Sequence, residues 1–206
     1  CWASIRQNYI GEMVERSDPC PIVMGGYLSA LGIVRGLAAG GLRSLVVVSP
    51  GGLNLPSRYS DTRIMPDPLL DSAGFEREML ALAEDLPAGG VIFPSIDVYM
   101  SALAPIRGAL ERRGVVMATS SQDTLDLFLS KNRTSKLAKR LGVDIPLSRE
   151  ARGASVVEAA VGLTFPLVLK PETTIGFSEK TGAPKSAIVV DDEAAAKAWQ
   201  SRFIEA

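Results

Sequence analysis

Short apolar runs of strand length alternate with amphipathic stretches of helical period along residues 21–118, and this alternation limits the fold more than any other property of the chain. Pro21 to Met24 predicts a buried strand that runs into Gly25-Gly26. Leu28 to Ala39 places Leu28, Leu31, Val34, Leu37 and Ala38 at helical spacing, and Gly40-Gly41 closes that helix. Ser44 to Val48 is a second apolar strand. Strand, helix and strand joined by short turns make a βαβ unit, which demands a parallel pair and a right-handed crossover. Asp61 to Met65 reads as a short edge strand, because proline follows it. Gly74 to Leu86 predicts a helix with Phe75, Met79, Leu82 and Leu86 on one face. Val91-Ile92-Phe93 predicts a third buried strand, ending in Pro94-Ser95-Ile96-Asp97. Asp97 is placed to cap a helix that runs to about Arg113 and is interrupted at Pro105. Gly114 to Met117 is a further strand. Residues 21–118 thus predict one parallel α/β domain, preceded by an extension over residues 1–20.

The composition then shifts. Thr119 to Asp123 is polar and turn-like and marks a boundary, so residues 119–206 form a second unit. From Lys131 to Arg152 there are seven basic residues and two acidic ones. Most of these cations suit a solvated helix face. That helix covers 131–141 and ends at Gly142, with a short strand near Ile145 and a helix over about 154–161 after it. A strand over Leu167–Lys170, a polar loop, a strand over Ala187–Val190 and a helix over Asp192–Phe203 complete the unit.

Several function classes are excluded. The chain contains no histidine, which removes Ser-His-Asp and Cys-His catalysis and every histidine-based metal site. Cys1 and Cys20 match no disulfide framework and no metal spacing, and read as free thiols of a reducing, cytoplasmic protein. A net charge of −1 lacks the basic surplus of a nucleic-acid binder. No apolar run approaches the roughly 20 residues needed to cross a membrane. What remains is Lys, Arg, carboxylates, hydroxyls and backbone amides, a set better suited to phosphate handling than to proton shuttling near neutral pH.

Lys131 and Lys170 stand out within that set. Lys131 opens the basic helix, and alone it is a solvated helix-start lysine. Lys170 ends the apolar run Phe165-Pro166-Leu167-Val168-Leu169, where a buried ammonium needs a reason. Two fixed ammonium groups about forty positions apart suit one polyanion, because phosphoryl transfer is catalysed by positioning and charge neutralisation. Glu172 to Ser178 supplies a hydroxyl-containing loop whose amides can close over phosphates, although by itself it is a polar hairpin. Gly25-Gly26-Tyr27-Leu28-Ser29-Ala30-Leu31-Gly32 lies where a dinucleotide fingerprint would lie but is not G-x-G-x-x-G, and no P-loop occurs. A tight, small-residue turn accounts for it, with amides at the helix N-terminus that can hold a substrate carboxylate. Arg58, in Ser57-Arg58-Tyr59-Ser60, is either a locally paired surface arginine or a fork for carboxylate or phosphate. Ser95 and Asp97 follow a strand's C-terminal end, where open α/β sheets bind ligands, and both are expected to share one sheet edge with Arg58.

Taken in order, these segments resemble the carbamoyl-phosphate-synthetase-like branch of the ATP-grasp superfamily, near the D-aspartate-ligase type of carboxylate–amine ligase. The matching string is Gly25-Gly26 with Leu31-Gly32-Ile33-Val34-Arg35; Ser57-Arg58-Tyr59-Ser60; Phe93-Pro94-Ser95-Ile96-Asp97; Lys131 with Leu137-Ala138 and Leu141-Gly142-Val143-Asp144-Ile145-Pro146; and Phe165-Pro166-Leu167-Val168-Leu169-Lys170-Pro171. The resemblance implies an α/β parallel-sheet pre-ATP-grasp domain over 21–118, then a partial first (α+β) ATP-grasp subdomain over 119–206, with the second subdomain absent. It implies ATP phosphates on Lys131 and Lys170, with Gly176 and Ser178 in the phosphate loop, and substrate at Gly26, Arg58, Ser95 and Asp97. It implies Mg²⁺ held by residues outside this segment, and it assigns no catalytic residue. The implied reaction phosphorylates a small-molecule carboxylate with ATP, after which an amine attacks the acyl phosphate. The implied partners are those two substrates, with neither nucleic acid nor membrane, and a homo-oligomer is left open. The chain then corresponds to the N-terminal part of a longer ligase, inactive alone. Two other readings stay open: a Rossmann-type nucleotide-dependent oxidoreductase, and a non-catalytic regulatory or scaffold module with an ATP-grasp-like fold.

Overall fold

The computed structural model describes residues 18–53, 57–151, 155–171, 182 and 187–205. The chain divides between Ser120 and Ser121 into two compact units.

The first unit is built on a five-stranded, wholly parallel sheet. Its strands are β1 (Cys20–Met24), β2 (Ser44–Val48), β3 (Ser60–Ile64), β4 (Gly90–Pro94) and β5 (Val115–Met117), in the spatial order β3-β2-β1-β4-β5. Register is fixed by the pairs Val23–Val46 on one side of β1 and Val23–Phe93 on the other. Both β1 and β2 are buried at all five positions, as strands covered on two faces must be. Alternation divides their side chains between two layers. Ile22, Met24, Leu45, Val47, Ile92 and Met117 face one layer, while Val23, Val46 and Val48 face the other.

Helix α1 (Leu28–Ala39) joins β1 to β2 and covers the smaller layer through Ala30 and Val34. The helices α2 (Ser72–Glu84), α3 (Asp97–Leu103) and α4 (Arg107–Glu111) cover the larger layer through Phe75, Met79, Leu82, Leu103 and Leu110. The split has a physical cause. The chain winds outward from β1 through β2 to β3, then returns across the sheet to β4 and winds the other way. Right-handed crossovers in opposite directions put their helices on opposite faces. Pro105 falls between α3 and α4, where the ring forbids a continuous helix. The edge strand β3 shows a half-exposed pattern, as expected of a border strand.

Three expectations for this unit need correction. Leu28 is 77% exposed: the apolar face of α1 begins at Ala30. Asp97 does not cap α3; the cap position is Ile96, and Asp97 lies in the first turn. Its carboxylate there favours the helix dipole rather than closing an amide. The third concerns Arg58, which lies at the other end of the sheet from Ser95 and Asp97 for reasons given with the site.

The second unit opens with a helix that the turn-like reading of 119–123 missed. Ser121 accepts from the Thr124 amide and caps α5 (Gln122–Leu129). Leu125, Phe128 and Leu129 repeat at three- and four-residue intervals behind that cap, which is the signal that identifies it. Ser130 ends α5 and caps α6 (Lys131–Arg140), its hydroxyl accepting from the Arg133 amide at 3.2 Å. Thr134 Oγ1 donates to the Leu127 and Ser130 carbonyls, closing the joint between the two helices. Residues 143–150 form no strand, so the one expected near Ile145 is absent. Beyond α7 (Val156–Ala160), β6 (Leu167–Leu169) pairs antiparallel with β7 (Ile188–Val190), and α8 (Glu193–Glu205) follows. Ile188, Val190 and Ala196 form the small core there, with Phe165, Leu167, Leu169 and Trp199 against it. No described helix is long and apolar enough to cross a membrane.

The burial pattern makes a paired prediction. Ile22→Ala, at a fully buried position, is expected to cost about 2–5 kcal/mol, whereas Leu28→Ala should stay within about 0.5 kcal/mol of the parent. Urea denaturation followed by circular dichroism measures both, and equal losses would show that Leu28 belongs to the core.

Candidate functional site

The direction of winding reverses between β1 and β4, so the loops leaving those two strands part and open a crevice at the C-terminal edge of the sheet. Gly25-Gly26 leaves β1 and Ser95-Ile96-Asp97 leaves β4, which brings Gly26, Ser95 and Asp97 together as expected of one sheet edge. Gly25 has φ +100°, and a Cβ there would come 2.7 Å from Ser95 Oγ and 3.3 Å from the Tyr99 ring. Only glycine tolerates both the conformation and the approach. The Gly25 amide donates to the Val47 carbonyl at 2.7 Å. Ser95 is a brace: its hydroxyl donates to the Met24 carbonyl at 2.6 Å and its amide to the same oxygen at 3.1 Å. Its carbonyl accepts from Ser29 Oγ at 3.4 Å.

The N-terminus of α1 faces this edge. Its cap residue, Tyr27, makes no side-chain cap bond, and the first turn holds no acidic residue. Free amides and the positive end of the helix dipole are therefore presented together, an arrangement that suits a carboxylate or phosphate. Asp97 is exposed on the opposite side of the crevice, in the first turn of α3.

The structure adds residues that the sequence did not single out. Tyr99, 5% exposed, stacks against Phe75 with centroids 6.0 Å apart, and its hydroxyl lies 3.3 Å from Ser49 Oγ at the end of β2. Burial pushes the Tyr99 phenol above its ordinary value of 10.0; Ser49 opposes the shift, while Asp67 and Tyr27 add to it. Thr119, just past β5, has a buried hydroxyl with no partner among the described residues. Neither Tyr99 nor Ser49 lies in a recognisable motif; only the return of the chain beside β1 makes them neighbours.

Arg58 belongs to the opposite edge. It precedes β3 by two residues, and its carbonyl accepts from Arg43 Nη1 at 2.9 Å, Arg43 itself immediately preceding β2. Residues that precede parallel strands gather at the N-terminal edge. The long loop after β2 carries the chain back down the sheet, so following a strand in sequence does not place Arg58 at that strand's end.

In the second unit, Lys131 is the first residue of α6 and is partly buried, and Lys170 follows β6 directly. The expectation of a buried strand ahead of Lys170 fails. Leu167 and Leu169 are half-buried, Val168 is 54% exposed, and Lys170 continues the exposed alternate positions. Its side chain is exposed and has no carboxylate partner among the described residues. Gly176 and Ser178 lie outside the described residues. No group of three or more Cys, Asp or Glu side chains among the described residues is arranged to hold a metal ion.

No family model and no curated protein matches the sequence. Solved structures do match the fold. An L-amino acid ligase from Bacillus licheniformis matches 89% of this chain at 16% identity and a TM-score of 0.62. Rhizobium etli pyruvate carboxylase matches 86% at 18% identity and a TM-score of 0.59. The biotin carboxylase domain of Hydrogenobacter thermophilus 2-oxoglutarate carboxylase, solved with MgADP and bicarbonate, matches 85% at 16% identity and a TM-score of 0.56. The chain spans 41%, 16% and 38% of those chains. At such identities the likeness establishes the fold alone, an α/β arrangement shared with part of each of those chains.

The buried phenol predicts a pH effect. The folded state holds the Tyr99 proton more tightly than the unfolded chain, so this stability is complete below about pH 10 and is lost as pH rises through the folded-state value. Absorbance titration should show one tyrosine ionising late, and Tyr99→Phe should remove it. If all tyrosines titrate together in the parent, the hydroxyl is hydrated and this packing is wrong.

Proposed function

We propose that the chain is the N-terminal part of an ATP-dependent carboxylate–amine ligase that works through an acyl phosphate. The observation that carries this reading is the fold likeness to an L-amino acid ligase over 89% of the chain. The crevice at the β1/β4 reversal supports it, because the uncapped start of α1 supplies amides for a substrate carboxylate without an opposing acidic residue in that turn. Gly25 keeps the crevice floor low, and Ser95 fixes the two strand ends that form it.

Lys131 and Lys170 would hold ATP phosphates. The fit rests on donor chemistry: Lys170 is exposed at a strand end with no described carboxylate beside it. When bound, ATP supplies the phosphoryl group that activates the carboxylate. The contribution of these side chains is positioning and charge neutralisation. The described residues do not fit Mg²⁺, so no role in metal binding is assigned to them. An oxidoreductase reading draws only on the open parallel sheet, and Gly25-Gly26-Tyr27-Leu28-Ser29-Ala30 lacks its glycine pattern.

In the full-length protein, ATP consumption should depend on an added carboxylate, measured as ADP release. Lys170→Met should lower kcat/KM by about 10²–10³-fold. Methionine keeps the stem length and Lys170 is exposed, so the melting temperature should hardly move. Near-normal turnover with an unchanged KM for ATP would make Lys170 a solvated surface residue.

A further inference from the structure

We propose that a second binding site, for a small doubly charged oxyanion, lies at the N-terminal edge of the first unit's sheet, in the cleft between the last half of α1 and residues 57–59. The cleft measures about 600 Å³. Leu31, Ala38 and Ala39 form its apolar side, and Arg35, Arg58 and Tyr59 its polar side. Among the described residues no carboxylate lines it.

The arginine that faces this cleft is held in place without being neutralised. Arg58 Nη2 donates to the Tyr59 hydroxyl, and its guanidinium lies over that ring, 4.7 Å from the centroid. The backbone beneath is pinned three ways. Arg43 donates to the Arg58 carbonyl at 2.9 Å, the Ser44 amide to the Tyr59 carbonyl at 3.2 Å, and the Tyr59 amide to Ser57 Oγ at 3.2 Å. Arg43 is itself satisfied by Asp61 through two bonds of 2.6 and 2.8 Å. Asp61 is therefore spent on Arg43. Neither Arg35 nor Arg58 has a carboxylate partner among the described residues.

A guanidinium ordered by an aromatic ring keeps its full charge and most of its donors, and it has already lost the freedom that binding would otherwise cost. The carbonyl end of α1 opposes an anion here, but with only about half a unit of negative charge against two full positive ones. Small methyl groups at Ala38 and Ala39 leave room for a ligand in the cleft that both arginines line. In the basic helix α6, Lys136 is paired to Glu150 at 2.7 Å. The proposed site is at the opposite sheet edge from the crevice of Gly26, Ser95 and Asp97, so it does not depend on the ligase reading.

The test is an NMR titration of the ¹⁵N-labelled 206-residue chain with sodium phosphate and, separately, sodium succinate, at constant ionic strength made up with sodium chloride. Saturable shifts at the amides of 35–40 and 57–60 are expected with at least one of the two, and which one saturates identifies a phosphate or a dicarboxylate. Arg58→Gln and Arg35→Gln should each weaken binding by about tenfold, and Arg58→Lys should restore little, because it keeps the charge without the fork. Shifts that grow linearly with both anions, or an affinity unchanged in both glutamine variants, would overturn the proposal. Arg35 is exposed on α1, so its variant remains informative even if the Arg58 loop is perturbed.

Discussion

The central strand β1 is the constraint on which the first unit depends. It has a parallel neighbour on each side and no exposed residue. Its ends are tied as firmly as its middle: the Cys20 amide donates to Gly89, while the Met24 carbonyl receives both the Ser95 amide and the Ser95 hydroxyl. A buried backbone group without a partner costs free energy comparable to a lost hydrogen bond, so each of these ties matters at full value. Because the chain winds away from β1 in both directions, the same strand decides which helices cover which face. It also decides where the sheet opens.

The two edges of this sheet differ in chemistry. The C-terminal edge presents amides, hydroxyls and the exposed carboxylate of Asp97, above the buried Tyr99 phenol. The N-terminal edge carries Arg35, Arg43 and Arg58, with only Arg43 neutralised by a described carboxylate. Helix-start amides and guanidinium forks are both chemistries that suit anions, and here they lie at opposite edges of the sheet.

The second unit has less core and more surface. Ile188, Val190 and Ala196 are its buried centre, and β6 shows Val168 to solvent on one face. Its best-defined joint is the hinge of α5 and α6, where Ser130 ends one helix and starts the next and Thr134 ties back across both. Lys131 is thus fixed by its position at a capped helix start. Lys170 is fixed only through the short ladder that precedes it.

Periodicity was legible without coordinates. The β1, β2, β4 and β5 runs, the edge position of β3, the break at Pro105 and the apolar face of α2 all follow from local spacing, because burial of a strand or a helix stripe leaves a repeat in the sequence. The position of Ser95 and Asp97 past the C-terminal end of their strand was also readable, since the strand's apolar run ends just before them. Local rules misplaced Leu28 and the cap of α3 by one or two residues, placed a strand near Ile145 that does not form, and missed α5. Arg58 shows the deeper limit. Its distance along the chain from β2 says nothing of how far the loop travels back, and only the pairing of β3 beside β2 put it at the N-terminal edge. Tyr99 met Ser49, and Arg35 met Arg58, for the same reason: which segments become neighbours is set by the order of strands in the sheet, a long-range property that no local spacing encodes.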